Sequence, residues 1–168
     1  MGAHLQDGRP LNRGFHGGFT GANIPWATGS GETIMISHFA VNWLAIVLAT
    51  LASFAFGAAW YMGLSRQWLA ALGKTREQLN VGNTPFIWSV VVELVMAYFL
   101  ALLTPALLGD VTILNGLIVA AHMWFGFVLT SMIMNHRYEG MKWSLTVIDS
   151  LHLLGVLLIQ GLVIGLFG

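Results

Sequence analysis

Four titratable side chains stand where such groups are expensive: Glu93, His122, Asp149 and His152 each sit inside a long apolar stretch. Carboxylates and imidazoles that meet away from water can hold a proton or a metal ion between them. A charged side chain at mid-membrane costs about 2.5–3.5 kcal/mol on insertion scales, so such residues face a bundle interior and are functional candidates. The helical period sorts them into faces. Asp149 and His152 lie three residues apart and share a face that Val156 and Gln160 continue. Ser89, Glu93 and Ala97 form a second face, and His122, Gly126 and Thr130 a third. Turning all three inward predicts one polar cluster, with Asp149 or Glu93 sharing a proton with His122 or His152. An unpartnered carboxyl at that depth must otherwise keep its proton. Two roles fit such a cluster: it glues helices together, or it binds and relays.

Metal chemistry has less behind it. Imidazole with carboxylate suits zinc or iron, but a di-iron bundle takes Glu-x-x-His from two helices. This chain offers Asp149-Ser150-Leu151-His152, once. Bis-histidine haem through His122 and His152 has no further signal, and His4 and His16 are too scattered to argue from. Neither a metal site nor a cofactor is expected. Cysteine is absent, which removes disulfides, thiolate metal sites and cysteine nucleophiles.

The elements that must position these residues follow from composition. Of the 168 residues, 57% are hydrophobic and 8% charged, against about 25% charged in soluble domains. So few charges cannot cover a water-facing surface, and lipid must do much of the solvating. Formal net charge is zero, so there is no basic field for nucleic acid. Four apolar stretches, about 41–61, 85–108, 111–134 and 143–167, each reach the roughly 20 residues that a spanning helix needs. The expected fold is all-α: an integral membrane four-helix bundle over residues 40–168. Between spans one and two, Arg66-Gln67-Trp68-Leu69-Ala70-Ala71-Leu72 sets Trp68, Leu69 and Leu72 on one side. That pattern predicts a short helix lying in the interface. Gly109-Asp110 makes spans two and three a tight antiparallel pair.

Residues 1–39 read as a Gly-rich extended tail, broken by Pro10 and Pro25. It lacks the charged start, apolar run and cleavage site of a signal peptide. Met35 is a candidate alternative start, and Phe15, Phe19 and Trp26 are candidate anchors if the tail docks. Arg66, Lys74 and Arg76 lie in loop 62–84, and Arg137 and Lys142 in loop 135–142, whereas the second loop has no Lys or Arg. The positive-inside rule then puts both basic loops in the cytoplasm and both termini across the membrane.

Helices in lipid associate through small residues and interhelical hydrogen bonds. Span one carries Ala45, Ala49, Ser53 and Gly57 at four-residue spacing. The stripe reads as helix packing within the bundle, or alternatively as a dimer seam. Trp43, Trp60, Tyr61, Trp68, Trp88 and Trp143 near span ends read as an aromatic belt.

Asn42-Trp43-Leu44-Ala45 opens span one, Gly57-Ala58-Ala59-Trp60-Tyr61 closes it, and Trp68 and Leu72-Gly73-Lys74-Thr75 follow. Across about residues 40–168 the chain resembles DUF1761, a bacterial family of small membrane proteins of unknown function. The resemblance implies four spans in the bacterial inner membrane and transfers no catalytic residue. The long tail departs from the family's usual short N-terminus. The function expected is a non-enzymatic one: a protein that binds lipid and other membrane subunits or itself, as an accessory subunit of a membrane complex. The alternatives are a proton-linked transporter or channel, or a redox or lipid-modifying enzyme, working through the same Glu/Asp/His cluster.

Overall fold

The computed structural model describes residues 41–79 and 82–168. The tail, with Phe15, Phe19, Trp26 and Met35, lies outside them. Among the described residues four helices are long and apolar enough to cross a membrane: α1 (Trp43–Gly63), α3 (Thr84–Leu108), α4 (Ile113–Tyr138) and α5 (Trp143–Leu166). Between the first two lies the eight-residue helix α2 (Ser65–Leu72), followed by a short 3₁₀ turn at Glu77–Leu79.

Local chemistry sets the ends. The Asn42 side chain accepts from the Ala45 amide at 3.2 Å, and Thr112 does the same for Asn115 at 3.2 Å. Each satisfies one of the amides orphaned at a helix start. Pro85 sits in the first turn of α3, where its missing N–H costs nothing. Gly73 ends α2 at φ +72°, a left-handed conformation that glycine adopts without steric penalty.

Up-and-down order leaves α3 and α5 in contact across the centre, while α1 and α4 flank that pair without touching each other. The closest approach is between α4 and α5. A Cβ on Gly116 would run into the Gly161 carbonyl, and one on Gly161 into the Gly116 carbonyl. Gly165 sits equally close to the backbone of Thr112 and Ile113. Backbone contact of this kind gains dispersion energy where water supplies no driving force. On the other flank Ala45, Ala49, Ser53 and Gly57 are all buried in the chain's own interior. The core is apolar and tight in the half away from the long loop, built on Ile46, Ala49, Ala97, Leu100, Val119, Ala120, Leu157 and Ile164. Outward faces carry large apolar side chains, among them Ile87, Trp88, Val95, Phe125 and Phe127, as surfaces solvated by acyl chains do.

Candidate functional site

Polar groups gather in the other half of the bundle, around a cavity of about 350 Å³ at the loop-bearing end of α1 and α3. Phe54, Ala58, Met62 and Phe86 give it apolar walls, and Tyr61, Ser89, Glu93 and His152 supply polar edges. Arg76, from the loop after α2, also lines it and is exposed.

Glu93 is the floor. It is 6% exposed, and its Oε2 lies 2.6 Å from Ser53 Oγ. Gln160 Nε2 donates to Ser53 Oγ at 3.1 Å and to the Glu93 carbonyl at 3.0 Å. That carbonyl can only accept, so the amide orientation of Gln160 is fixed. Ser53 Oγ also lies 3.1 Å from the Thr50 carbonyl. These heavy-atom positions serve both forms of the acid. Ionised Glu93 accepts the Ser53 hydroxyl. Neutral Glu93 donates to Ser53 Oγ, whose own hydrogen then turns to Thr50. Three helices thus hold one carboxyl in place, and its charge can change without breaking the network. Its Oε1 faces the cavity side, 3.9 Å from where a Cβ on Gly57 would stand.

His152 comes to the same place from α5. Its ring packs between Tyr61, at 4.7 Å between centroids, and Phe56, at 6.2 Å and nearly parallel. Nε2 is buried without a hydrogen-bond partner among the described residues and would lie 2.8 Å from a Gly57 Cβ. Only glycine leaves that space. Glu93 and His152 therefore share one notch, which the bare backbone of Gly57 opens between them.

The other two sequence candidates are placed differently. Asp149 points to the end of the bundle, where Oδ1 accepts from Tyr61 Oη at 2.9 Å and from Trp68 Nε1 at 3.0 Å. It pins α2 to α5 and holds Tyr61 at the cavity edge. His122 is exposed on the outer side of α4, its Nδ1 2.8 Å from the Ile118 carbonyl of its own helix. The single four-residue cluster is therefore corrected to a Glu93–His152 pair, with Asp149 as an outlying latch and His122 apart. The shared carboxyl–imidazole proton is corrected as well: the carboxyl partners are Ser53, Tyr61 and Trp68. The physical reason is that Gly116 and Ala120, on another face than His122, make the close contact with Gly161 of α5. Close packing of small residues outranked polarity in choosing which side of α4 faces inward. Downstream, the π-helical segment Trp124–Leu129 starts where the Trp124 indole donates to the Ser150 carbonyl at 2.7 Å.

Sequence reading missed Ser53, which looked only small, and Tyr61 and Trp68, which looked only interfacial. Arg76 and Phe86 gave no signal, since facing around the cavity depends on which helices are neighbours. Among the described residues no three His, Asp or Glu converge as metal ligands would.

Four apolar helices around a half-polar interior, with a cavity opening at one end, define a multi-pass α-helical membrane protein with an internal cavity. The DUF1761 family model, described as a protein of unknown function, matches residues 44–165, and the chain belongs to that family. No curated protein and no solved structure matches it.

Proposed function

We propose that this protein is a non-enzymatic binding component of the bacterial inner membrane, taking a small ligand into the α1–α3 cavity from the cytoplasmic side. The observation that carries this reading is the one-ended shape of the site. The cavity stops at Glu93 and Ser53. Beyond them Ile46, Ala49, Ala97 and Leu100, each 2% exposed or less, form a dry layer. A second, smaller hollow of about 160 Å³, lined by Asn42, Ala45, Pro105 and Phe167 among others, lies on the far side of that layer. A proton or solute path would have to cross the dry layer, so binding is preferred to conduction. Apolar walls with a few placed polar groups are the usual make-up of a ligand site. Partner subunits or a second copy would meet the apolar outer faces that lipid otherwise covers.

Because the chain has no cysteine, accessibility is simple to measure. Ser89→Cys should react with a charged, membrane-impermeant maleimide supplied from the loop side, far faster than the outward-facing Val95→Cys. Ala101→Cys, at the far hollow, should be unreactive from that side. Equal rates at Ser89 and Val95 would remove the wet cavity and the reading with it. Labelling of Ala101 from the loop side would show a continuous path and favour transport.

A further inference from the structure

We propose that the cavity selects protonated organic amines, which displace a proton from Glu93. The inference rests on the binding reading and adds the ligand's chemistry. Glu93 is a carboxyl in the membrane-spanning region whose side-chain hydrogen-bond partner among the described residues is a neutral hydroxyl. Among the described residues no Lys or Arg bonds to it, although Arg76 lies at the same cavity. A carboxylate at this depth needs either a proton or a counter-cation. The Ser53–Gln160–Thr50 arrangement accommodates both forms, as the distances above show. Oε1 is the carboxyl oxygen without a hydrogen-bond partner among the described residues, and it lies on the side of Gly57, which lines the cavity.

The walls suit the same ligand. Phe54, Tyr61 and Phe86 line the space above Glu93, and aromatic faces attract organic cations as well as covering apolar groups. A cation with an apolar body thus finds a carboxylate at the floor and rings around it. The exchange balances simply: the ammonium pairs with the Glu93 carboxylate, and the displaced proton leaves to water through the cavity mouth.

The charged and titratable neighbours among the described residues are few. From α1 there is Tyr61, whose hydroxyl is committed to Asp149. From α5 there is His152, on the notch beside Glu93, and Asp149, occupied by Tyr61 and Trp68. Arg76 is exposed, where water and salt screen it. From α4, His122 is exposed and bonded within its own helix. Protonation of either Glu93 or His152 would weaken amine binding, so the test must separate the two.

The probe is phenethylammonium, with the neutral alcohol 2-phenylethanol as its near-isostere, titrated against full-length protein in lipid nanodiscs of neutral composition. Empty nanodiscs give the partition baseline. The expected result is saturable amine binding that weakens as pH is lowered, with the alcohol bound at least about tenfold more weakly, as loss of one charge-assisted contact predicts. Glu93→Gln should remove both the preference for the amine and its pH dependence, whereas His152→Gln, which alters the cavity lining and so changes the affinity for both probes, should still show the pH dependence. The amine–alcohol comparison in the unmodified protein stands even if a variant fails to fold. Equal binding of amine and alcohol overturns the proposal while leaving the binding cavity in place. Loss of pH dependence in His152→Gln also overturns it, by moving the titrating group to α5. An absence of saturable binding by both probes, with Ser89→Cys still reactive, overturns the amine selectivity and leaves the wet cavity standing.

Discussion

At the scale of single residues, the site depends on a missing side chain and a shared hydroxyl. Gly57 leaves room between His152 Nε2 and Glu93 Oε1. Gly57→Ala should push His152 against Phe56 and Tyr61 at a cost of about 1–3 kcal/mol, the usual penalty of overpacking. The check is the unfolding midpoint in mild detergent, with slower Ser89→Cys labelling as a second sign that the cavity has shrunk. Ser53 is the junction of the network. Ser53→Ala leaves Gln160 Nε2 with one partner fewer and Glu93 Oε2 with none, and should cost about 1–3 kcal/mol. Glu93→Gln keeps a hydrogen-bonding group opposite Ser53 and should cost less. If the two variants unfold alike, the hydroxyl is not the junction. Glu93, His152 and Gln160 were legible in the sequence because a polar side chain in an apolar run announces itself. His122 announced itself equally and lies on the outer face. Polarity identifies costly residues but does not say which way their helix is turned.

At the scale of elements, small residues decide that rotation. Gly116 and Gly161 meet backbone to backbone, whereas a Cβ on Gly126 of the same helix would find open space. Gly161→Ala should therefore separate α4 from α5 and cost upward of about 1–3 kcal/mol, while Gly126→Ala should be neutral or gain up to about 1 kcal/mol of helix propensity. Equal effects on unfolding would mean that the α4–α5 contact is looser than it stands here. The second element-scale device is the latch on α2. Asp149 accepts from Tyr61 and Trp68, and Lys142 Nζ donates to the Ala70 carbonyl at 2.9 Å. With Asp149→Leu, the amides of α2, Ser65–Leu72, should exchange with deuterium at least about tenfold faster, since a charge-assisted hydrogen bond carries about 1.5–3 kcal/mol. The amides of α1 should keep their protection. The sequence suggested an amphipathic segment here, but it carried no sign that Asp149 would hold it, because Tyr61, Trp68 and Asp149 are distant in the chain.

For the whole molecule, the four spans were plain from length and apolarity, since hydrocarbon demands about 20 apolar residues of any crossing helix. Their lateral arrangement was not, because in lipid every outward face is apolar too and the usual contrast between core and surface is lost. What the arrangement adds is that the basic loops and the cavity mouth lie at one end. Arg76 lines that mouth, and Arg137 packs at the same end, 4.0 Å over the Trp143 ring with its guanidinium bonded to Thr146. The positive-inside rule weighs such charges near span ends, and the cytoplasmic orientation proposed for this end rests on it. In inverted and right-side-out vesicles, Gln78→Cys and Glu139→Cys should react with an impermeant maleimide from the cytoplasmic face, and Asp110→Cys from the opposite face. The reverse pattern would turn the cavity outward, and any ligand would then come from outside the cell. Split labelling of Gln78 and Glu139 would break the antiparallel order itself, because α3 and α4 lie between them and an even number of crossings must return the chain to the same side.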